Sequence, residues 1–228
     1  LTACLSLRMA HEQANTFLQQ ANCQVMLNGI PQRLWPTPHQ GQTNRVFWAA
    51  SLLKWKGLSV FLSALTRLSV PMSSSVCYIR PSNTQLAVDH APQTIIGVNW
   101  HENPAQLDAI RTQHSIFVST SQQEPFGLSI LEAMAAGLCP VIPADGAWWH
   151  QQLEHGKNCL TYQANDPTDL AKQLHWLQQH PEQQRLIGQA AAKVAEQYRA
   201  EQCYRPLILS MLRVMAWHHL LGDRYVNS

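Results

Sequence analysis

Residues 115–142 run Ser115-Ile-Phe-Val-Ser-Thr-Ser-Gln-Gln-Glu124-Pro-Phe-Gly127-Leu-Ser-Ile-Leu-Glu132-Ala-Met-Ala-Ala-Gly137-Leu-Cys139-Pro-Val-Ile142. Two short apolar runs, Ser115–Thr120 and Cys139–Ile142, are predicted to be buried strands. Between them Gly127–Ala136 is predicted to be a helix, apolar almost all round and stopped by Gly137. Two such strands joined through a buried helix read as a βαβ unit of a parallel sheet covered on both faces.

The same alternation extends outward. Arg45–Ala50, Val76–Arg80, Thr94–Val98 and Cys159–Tyr162 are predicted strands. Leu58–Leu68, with Leu58, Phe61, Leu62 and Leu65 on one face, is a predicted helix, as are Pro104–Arg111 and Trp148–Leu153. Asp166-Pro167-Thr168-Asp169 opens another helix with a capping acid and a first-turn proline, and Leu170, Leu174 and Leu177 form its buried face. Pro181 starts the next helix, and a last one covers about residues 205–220. Upstream, residues 2–7 and 23–27 are strand candidates and 8–20 a helix. Pro31 to Gln42, with three prolines and little apolar period, is the best linker. The fold class is therefore α/β, a parallel sheet with helices on both faces.

Composition narrows the function. The 228 residues carry 16 basic and 14 acidic side chains, a net +2, and only 13% are charged. That balance gives no reason to expect nucleic acid as a partner. No apolar run approaches the ~20 residues of a membrane helix, and Arg8 and His11 close the apolar start too early for a signal peptide. The chain begins at Leu1 and is expected to be a piece of a longer protein. Six cysteines, none in C-x-x-C spacing, read as reduced core thiols of a cytoplasmic protein. His150 with His155, and His218 with His219, lack the spacing that places two ligands on one helix face, so no metal is expected. No G-x-G-x-x-G follows a strand, which argues against a dinucleotide, and no cofactor is expected.

In an open parallel sheet ligands bind outside the carboxyl ends of the strands. Two loops there carry chemistry. In Ser119–Gly127, the free N–H groups at Gly127 and Leu128 form an anion site at a helix N-terminus. Glu124 and Glu132 flank it, eight residues apart, and can accept hydroxyl donors on either side of a bound phosphate, which describes a sugar–diphosphate–ribose ligand. The plainer alternatives are a solvated loop acid at Glu124 and a narrow wet stripe of Ser129, Glu132 and Ala136. The second loop, Ser51–Gly57, brings Lys54 and Lys56 to the same sheet edge. They read either as cations for a diphosphate or as two surface lysines.

The run from Glu124 to Gly137 closely resembles the E-x7-E signature of retaining family 4 (group 1) glycosyltransferases. Ile116-Phe-Val-Ser-Thr resembles the strand before it. Gly156-Lys-Asn-Cys-Leu and Asp166-Pro-Thr-Asp-Leu-Ala resemble the segments after it. Leu52–Gly57 resembles the end of the G-R-L-x-x-x-K-G segment, and Leu27-Asn28-Gly29-Ile30 the turn at the hinge between the family's two lobes. The resemblance spans about residues 20–200. It implies a Rossmann-like domain, the C-terminal, donor-binding half of a GT-B fold. Residues 1–28 would end the acceptor-side lobe, 29–43 would be the hinge, 44–200 the nucleotide-sugar domain, and 201–228 a helix returning to the acceptor lobe.

By the same resemblance Glu124, as catalytic residue, would meet hydroxyls of the donor sugar, and Glu132 would accept from ribose hydroxyls. Backbone N–H groups around Phe126, Gly127 and Leu128 would hold the sugar and distal phosphate. Lys56 would neutralise the departing diphosphate, with Ser51 and Lys54 as further phosphate contacts. The family's Gly-Arg before Leu52 is Ala50-Ser51 here, which leaves Lys54 or Arg80 as the cation to substitute. The family's G-x-G after the next strand is Arg80-Pro81-Ser82.

The implied activity is transfer of a hexosyl group from a UDP-, GDP- or ADP-linked sugar to a glycan, lipid or protein acceptor. No metal would be needed, since no D-x-D is present, and this chain alone would be inactive. The alternatives are a binding-only lobe that holds a nucleotide sugar without chemistry, suggested by Ser51, and a nucleotide-sugar epimerase on the same fold.

Overall fold

A computed structural model describes residues 26–40 and 44–212. Six strands form one sheet: β1 (Val46–Ser51), β2 (Ser74–Ile79), β3 (Val98–Glu102), β4 (Ile116–Val118), β5 (Cys139–Pro143) and β6 (Leu160–Tyr162). Their order is β3-β2-β1-β4-β5-β6, and every pairing is parallel. The chain reverses its winding between β1 and β4, so the loops after these two strands leave the sheet side by side. That crevice is where a doubly wound sheet binds its ligand.

Helix α1 (Leu58–Leu65) follows β1, α2 (Leu107–Arg111) follows β3, α3 (Leu128–Ala135) follows β4 and α4 (Trp148–Gln152) follows β5, while α5 (Pro167–Gln179) and α6 (Pro181–Ala195) come after the last strand. A short α7 follows at Ala200–Cys203. Along β1 and β4 alternate residues turn to opposite faces. Val46, Trp48, Ile116 and Val118 join the core beneath α1 and α5, with Phe61, Leu62, Leu170 and Leu174. There the rings of Trp48 and Phe61 stack at 6.4 Å. Phe47 and Phe117 face the other layer, where Phe47 also meets the His114 ring at 5.5 Å. Each large side chain fully buried in these layers contributes about 1.5–3 kcal/mol. α3 and α6 cover β5 on one face. They approach closely: a Cβ at Gly188 would stand 2.3 Å from the Gly137 carbonyl oxygen.

The helix at 167 starts as its sequence predicts. Asp166 accepts from Thr168 N at 2.8 Å and Asp169 N at 3.1 Å, and Pro167 occupies the first turn. Two predicted elements move. The strand expected at Thr94–Val98 lies instead at Val98–Glu102. The apolar pair Ile95-Ile96 suggested a buried strand, but β3 is an edge strand with one partner and no fully buried residue, so it needs no apolar run. The helix expected from Pro104 begins only at Leu107. Of the strand expected at 23–27, residues 26 and 27 are not in a strand. The elements expected at 2–7 and 8–20 lie outside the described residues. Of the last helix, residues 205–212 are helical and the remainder is outside them.

The chain divides into two compact units. Trp35–Glu196 holds the sheet. In the other, Ile30 and Arg199 form a bridge, with Ile30 N donating to Tyr198 O at 2.9 Å and Ala200 N to Ile30 O at 3.0 Å. Gly29 lies against this bridge: a Cβ there would meet the Ala200 Cα at 2.7 Å.

Candidate donor site

The two loops at the switch point are sewn together. The Trp48 indole donates to Thr120 Oγ1 at 2.9 Å, and that hydroxyl donates to the Lys56 carbonyl at 2.8 Å. Gln122 N donates to the Trp55 carbonyl at 2.9 Å. Gly57 makes this approach feasible: its φ is +70°, and a Cβ there would stand 2.3 Å from the Thr120 carbonyl oxygen. Above the seam the Lys56 ammonium pairs with the Glu124 carboxylate, and both side chains are largely buried. The same ammonium sits 4.0 Å over the Trp55 ring.

Beneath this pair α3 begins. Its cap residue is Gly127 at φ +69°, which has no side chain to cap the helix. A Cβ at Gly127 would meet the Glu124 Cγ at 2.9 Å, which is why glycine suits this point. Phe126 is buried, packed on Trp148 and Trp149 with ring centroids 6.0 and 5.3 Å away. Its side chain anchors the loop. Leu128 is half exposed at the helix start.

Glu132 lies one turn further along α3. Burial pushes its carboxyl above the ordinary range, and the Arg111 guanidinium opposes that shift. Arg111 Nη2 donates to Glu132 Oε2 at 2.5 Å, and Nη1 to Asp108 Oδ1 at 2.8 Å. Among the described residues no group of three His, Cys, Asp or Glu side chains clusters as a metal site would require.

The structure thus brings Lys56, Glu124, Gly127 and Leu128 to one sheet edge, with Glu132 on the same helix. Ser51 ends β1 in register with Ile79, and Lys54 is exposed; neither is bonded to the Lys56–Glu124 pair. Arg80, one of two cations expected to substitute for the missing arginine, is engaged elsewhere. It bonds Glu102 at 2.7 Å and the Ala91 carbonyl at 2.7 Å.

Sequence reasoning missed Thr120, Arg111 and Asp145. Asp145 accepts from Gln123 N at 2.8 Å and from Ala147 N at 3.0 Å, which holds Gln123 at φ +50° just before Glu124. Its one signal was the turn dipeptide Asp145-Gly146. Thr120 gave none, because its partners lie on other elements; Arg111 shares its short helix with Asp108, but its pairing with Glu132 crosses to another helix and left no signal.

Residues 83–194 match the family model described as glycosyl transferases group 1. That stretch, just under half of the chain, is similar to group 1 glycosyl transferases. It includes Arg111, Glu124, Gly127 and Glu132, while Ser51, Lys54 and Lys56 precede it. The chain is 33% identical over 84 residues to a D-inositol 3-phosphate glycosyltransferase of Streptomyces bingchenggensis, covering 37% of this chain and 18% of the relative. It is 29% identical over 128 residues to an N-acetyl-alpha-D-glucosaminyl L-malate synthase of Bacillus anthracis, covering 54% of this chain and 32% of the relative. The chain therefore matches less than a third of the relatives' length.

The fold resembles that of Anabaena Alr3699/HepE, solved in complex with UDP-glucose. The TM-score is 0.71 at 18% identity, over 89% of this chain and 62% of that one. Residues 83–194 and their flanks thus share the Rossmann-like parallel sheet of GT-B glycosyltransferase folds. Among the described residues no helix is long and apolar enough to cross a membrane.

Proposed function

We propose that this chain is the donor-binding lobe of a retaining glycosyltransferase, moving a hexosyl group from a nucleoside-diphosphate sugar to a glycan, lipid or protein acceptor. One observation carries the reading: the Lys56–Glu124 pair bridges the two switch-point loops directly over the start of α3. A cation, a helix N-terminus without a side-chain cap, and a carboxylate at one sheet edge are what a sugar diphosphate requires. The UDP-glucose in the complex of the Anabaena protein supports the ligand class.

In this reading the diphosphate takes the Lys56 ammonium and the N–H groups of Gly127 and Leu128, and charge that develops on the leaving phosphate is met by groups already in place. Glu124, released from Lys56, accepts from hydroxyls of the sugar. Glu132 accepts from the ribose. No metal is needed to neutralise the phosphates. Ser51 and Lys54 are outer phosphate contacts at most. Residues 29–43 are the hinge to an acceptor lobe, and this chain alone turns over little, since one lobe cannot position both reactants. A cytoplasmic location accords with the buried free thiols of Cys77, Cys139 and Cys159.

The test is calorimetry with UDP, GDP and ADP and their glucose conjugates, with excess Mg²⁺ or with EDTA. One nucleotide series should bind, equally in both buffers. Glu132→Ala should weaken the free diphosphate and the sugar conjugate alike, whereas Glu124→Ala should weaken chiefly the conjugate, each by roughly 1.5–3 kcal/mol. Equal effects of both variants on both ligands would refute the assigned roles, and binding lost in EDTA would refute metal independence.

A further inference from the structure

Arg111 is an unusual residue for the place it occupies. It ends α2, a helix of five residues, yet its side chain is only 6% exposed. It has two carboxylates within bonding distance, and its buried Nε has no hydrogen-bond partner among the described residues. Stability alone does not favour such an arrangement, because a buried ion pair is commonly replaced by apolar side chains without loss.

The bonds form a line. Thr37 N donates to Asp108 Oδ2 at 3.1 Å, Asp108 Oδ1 accepts from Arg111 Nη1, and Arg111 Nη2 donates to Glu132 Oε2. The segment holding Thr37 is itself fixed on both sides: His39 N donates to the Ala136 carbonyl at the end of α3, and Gln40 N to the Thr112 carbonyl after α2, both at 2.8 Å. The segment is therefore tied to the ends of both helices that carry the rest of the line. Glu132 ends the line with one oxygen held by Arg111, while the carboxylate as a whole is a third exposed. A guanidinium fixes such an oxygen in direction as well as charge.

We propose that Arg111 is a positioning residue for the donor: it holds Oε2 of Glu132 so that Oε1 is presented, ionised and oriented, to the hydroxyls of a ribose. This rests on the assignment of Glu132 to the ribose. Arg111 touches no ligand and acts only through Glu132. Its charge also opposes the burial that favours the protonated carboxyl, a form that donates where an acceptor is wanted.

The experiment pairs each of UDP, GDP and ADP with its 2′,3′-dideoxy counterpart and measures both affinities by calorimetry on the full chain. Arg111→Met should weaken the ribonucleotide that binds by about tenfold and leave its dideoxy form within about twofold. Arg111→Lys should recover part of the loss, since it keeps one charged donor. In a Glu132→Gln background Arg111→Met should add nothing, as expected for two residues acting as one unit. Equal weakening of both forms, or full additivity with Glu132→Gln, would overturn the proposal. Should Arg111→Met fail to fold, Asp108→Asn carries the test, because the Asp108 side chain is nearly half exposed and its change removes only the far anchor; the same selective loss, smaller, is expected, and its absence would overturn the proposal. A separate failure is distinguishable: if Glu132→Gln itself does not discriminate ribose from dideoxyribose, the ribose assignment falls.

Discussion

Between β4 and β5 the chain crosses over through α3, whose Ile130, Leu131, Ala133 and Met134 are buried. Between β2 and β3 it crosses with no helix at all, over residues 80–97, and leaves Leu86, Val88 and Ile96 exposed. Both connections join parallel strands, but they are held by different forces. The first is held by side chains against the sheet. The second is held by its backbone, where Lys54 N donates to Ala87 O at 2.8 Å and Asp89 N to Leu52 O at 2.7 Å. The lysine-bearing loop lies between the two and is gripped by both, through Thr120 and Gln122 on one side and through Ala87 and Asp89 on the other. A crossover can thus support a site while giving the core only Ala91 and the partly buried Ile95.

The contrast is broken or sharpened most directly by truncation. Leu131→Ala, at a fully buried position of the helical crossover, should cost about 2–5 kcal/mol in urea unfolding. A loss under about 1 kcal/mol would mean that α3 is not clamped by its side chains.

A second measure uses pH. His114, in the turn before β4, is held by burial at about 4, below the ordinary 6.5, while its ring nitrogen bonds the Ile110 carbonyl. The unfolded chain therefore takes up this proton first as pH falls. Stability should be complete above about pH 6.5 and decline by about 3 kcal/mol on approaching pH 4. His114→Phe should flatten that part of a melting-temperature profile. An unchanged slope would place the titration elsewhere.

Third, the gripped loop should make its two lysines unequal. Lys56→Ala should weaken nucleoside diphosphate binding by about 1–3 kcal/mol, and Lys54→Ala by less than about 0.5 kcal/mol. If Lys54 proves the more damaging change, the loop has been assigned the wrong cation. The smallest effect is expected in the helix-less crossover, where Leu86→Ala should change stability by no more than about 0.5 kcal/mol.

The same difference explains what could be read from the amino-acid order. α1, α3, α5 and α6 repeat apolar residues at helical spacing, and the inner strands are unbroken apolar runs, so both were legible. Residues 80–97 carry no period because their backbone bonds ignore side-chain identity, and there the apolar pair Ile95-Ile96 misplaced β3. At the site, Lys56, Glu124, Gly127 and Glu132 stood out as charges and a glycine in the wrong surroundings for a core. Thr120 and Arg111 did not. A threonine after a strand and an arginine ending a short helix are ordinary in isolation, and their roles arise only when β1, β4 and α3 come together.

Trp55 lies directly beneath the Lys56 ammonium. An indole under a cation emits differently from one beside water, so this fluorophore registers where the lysine is. A diphosphate that draws the ammonium off the ring would change the emission of the unlabelled protein, and Trp55→Phe would silence that component. Under the proposed binding mode, Trp55 emission should therefore report occupancy of the site, readable in a stopped-flow cell on the millisecond scale of ligand arrival.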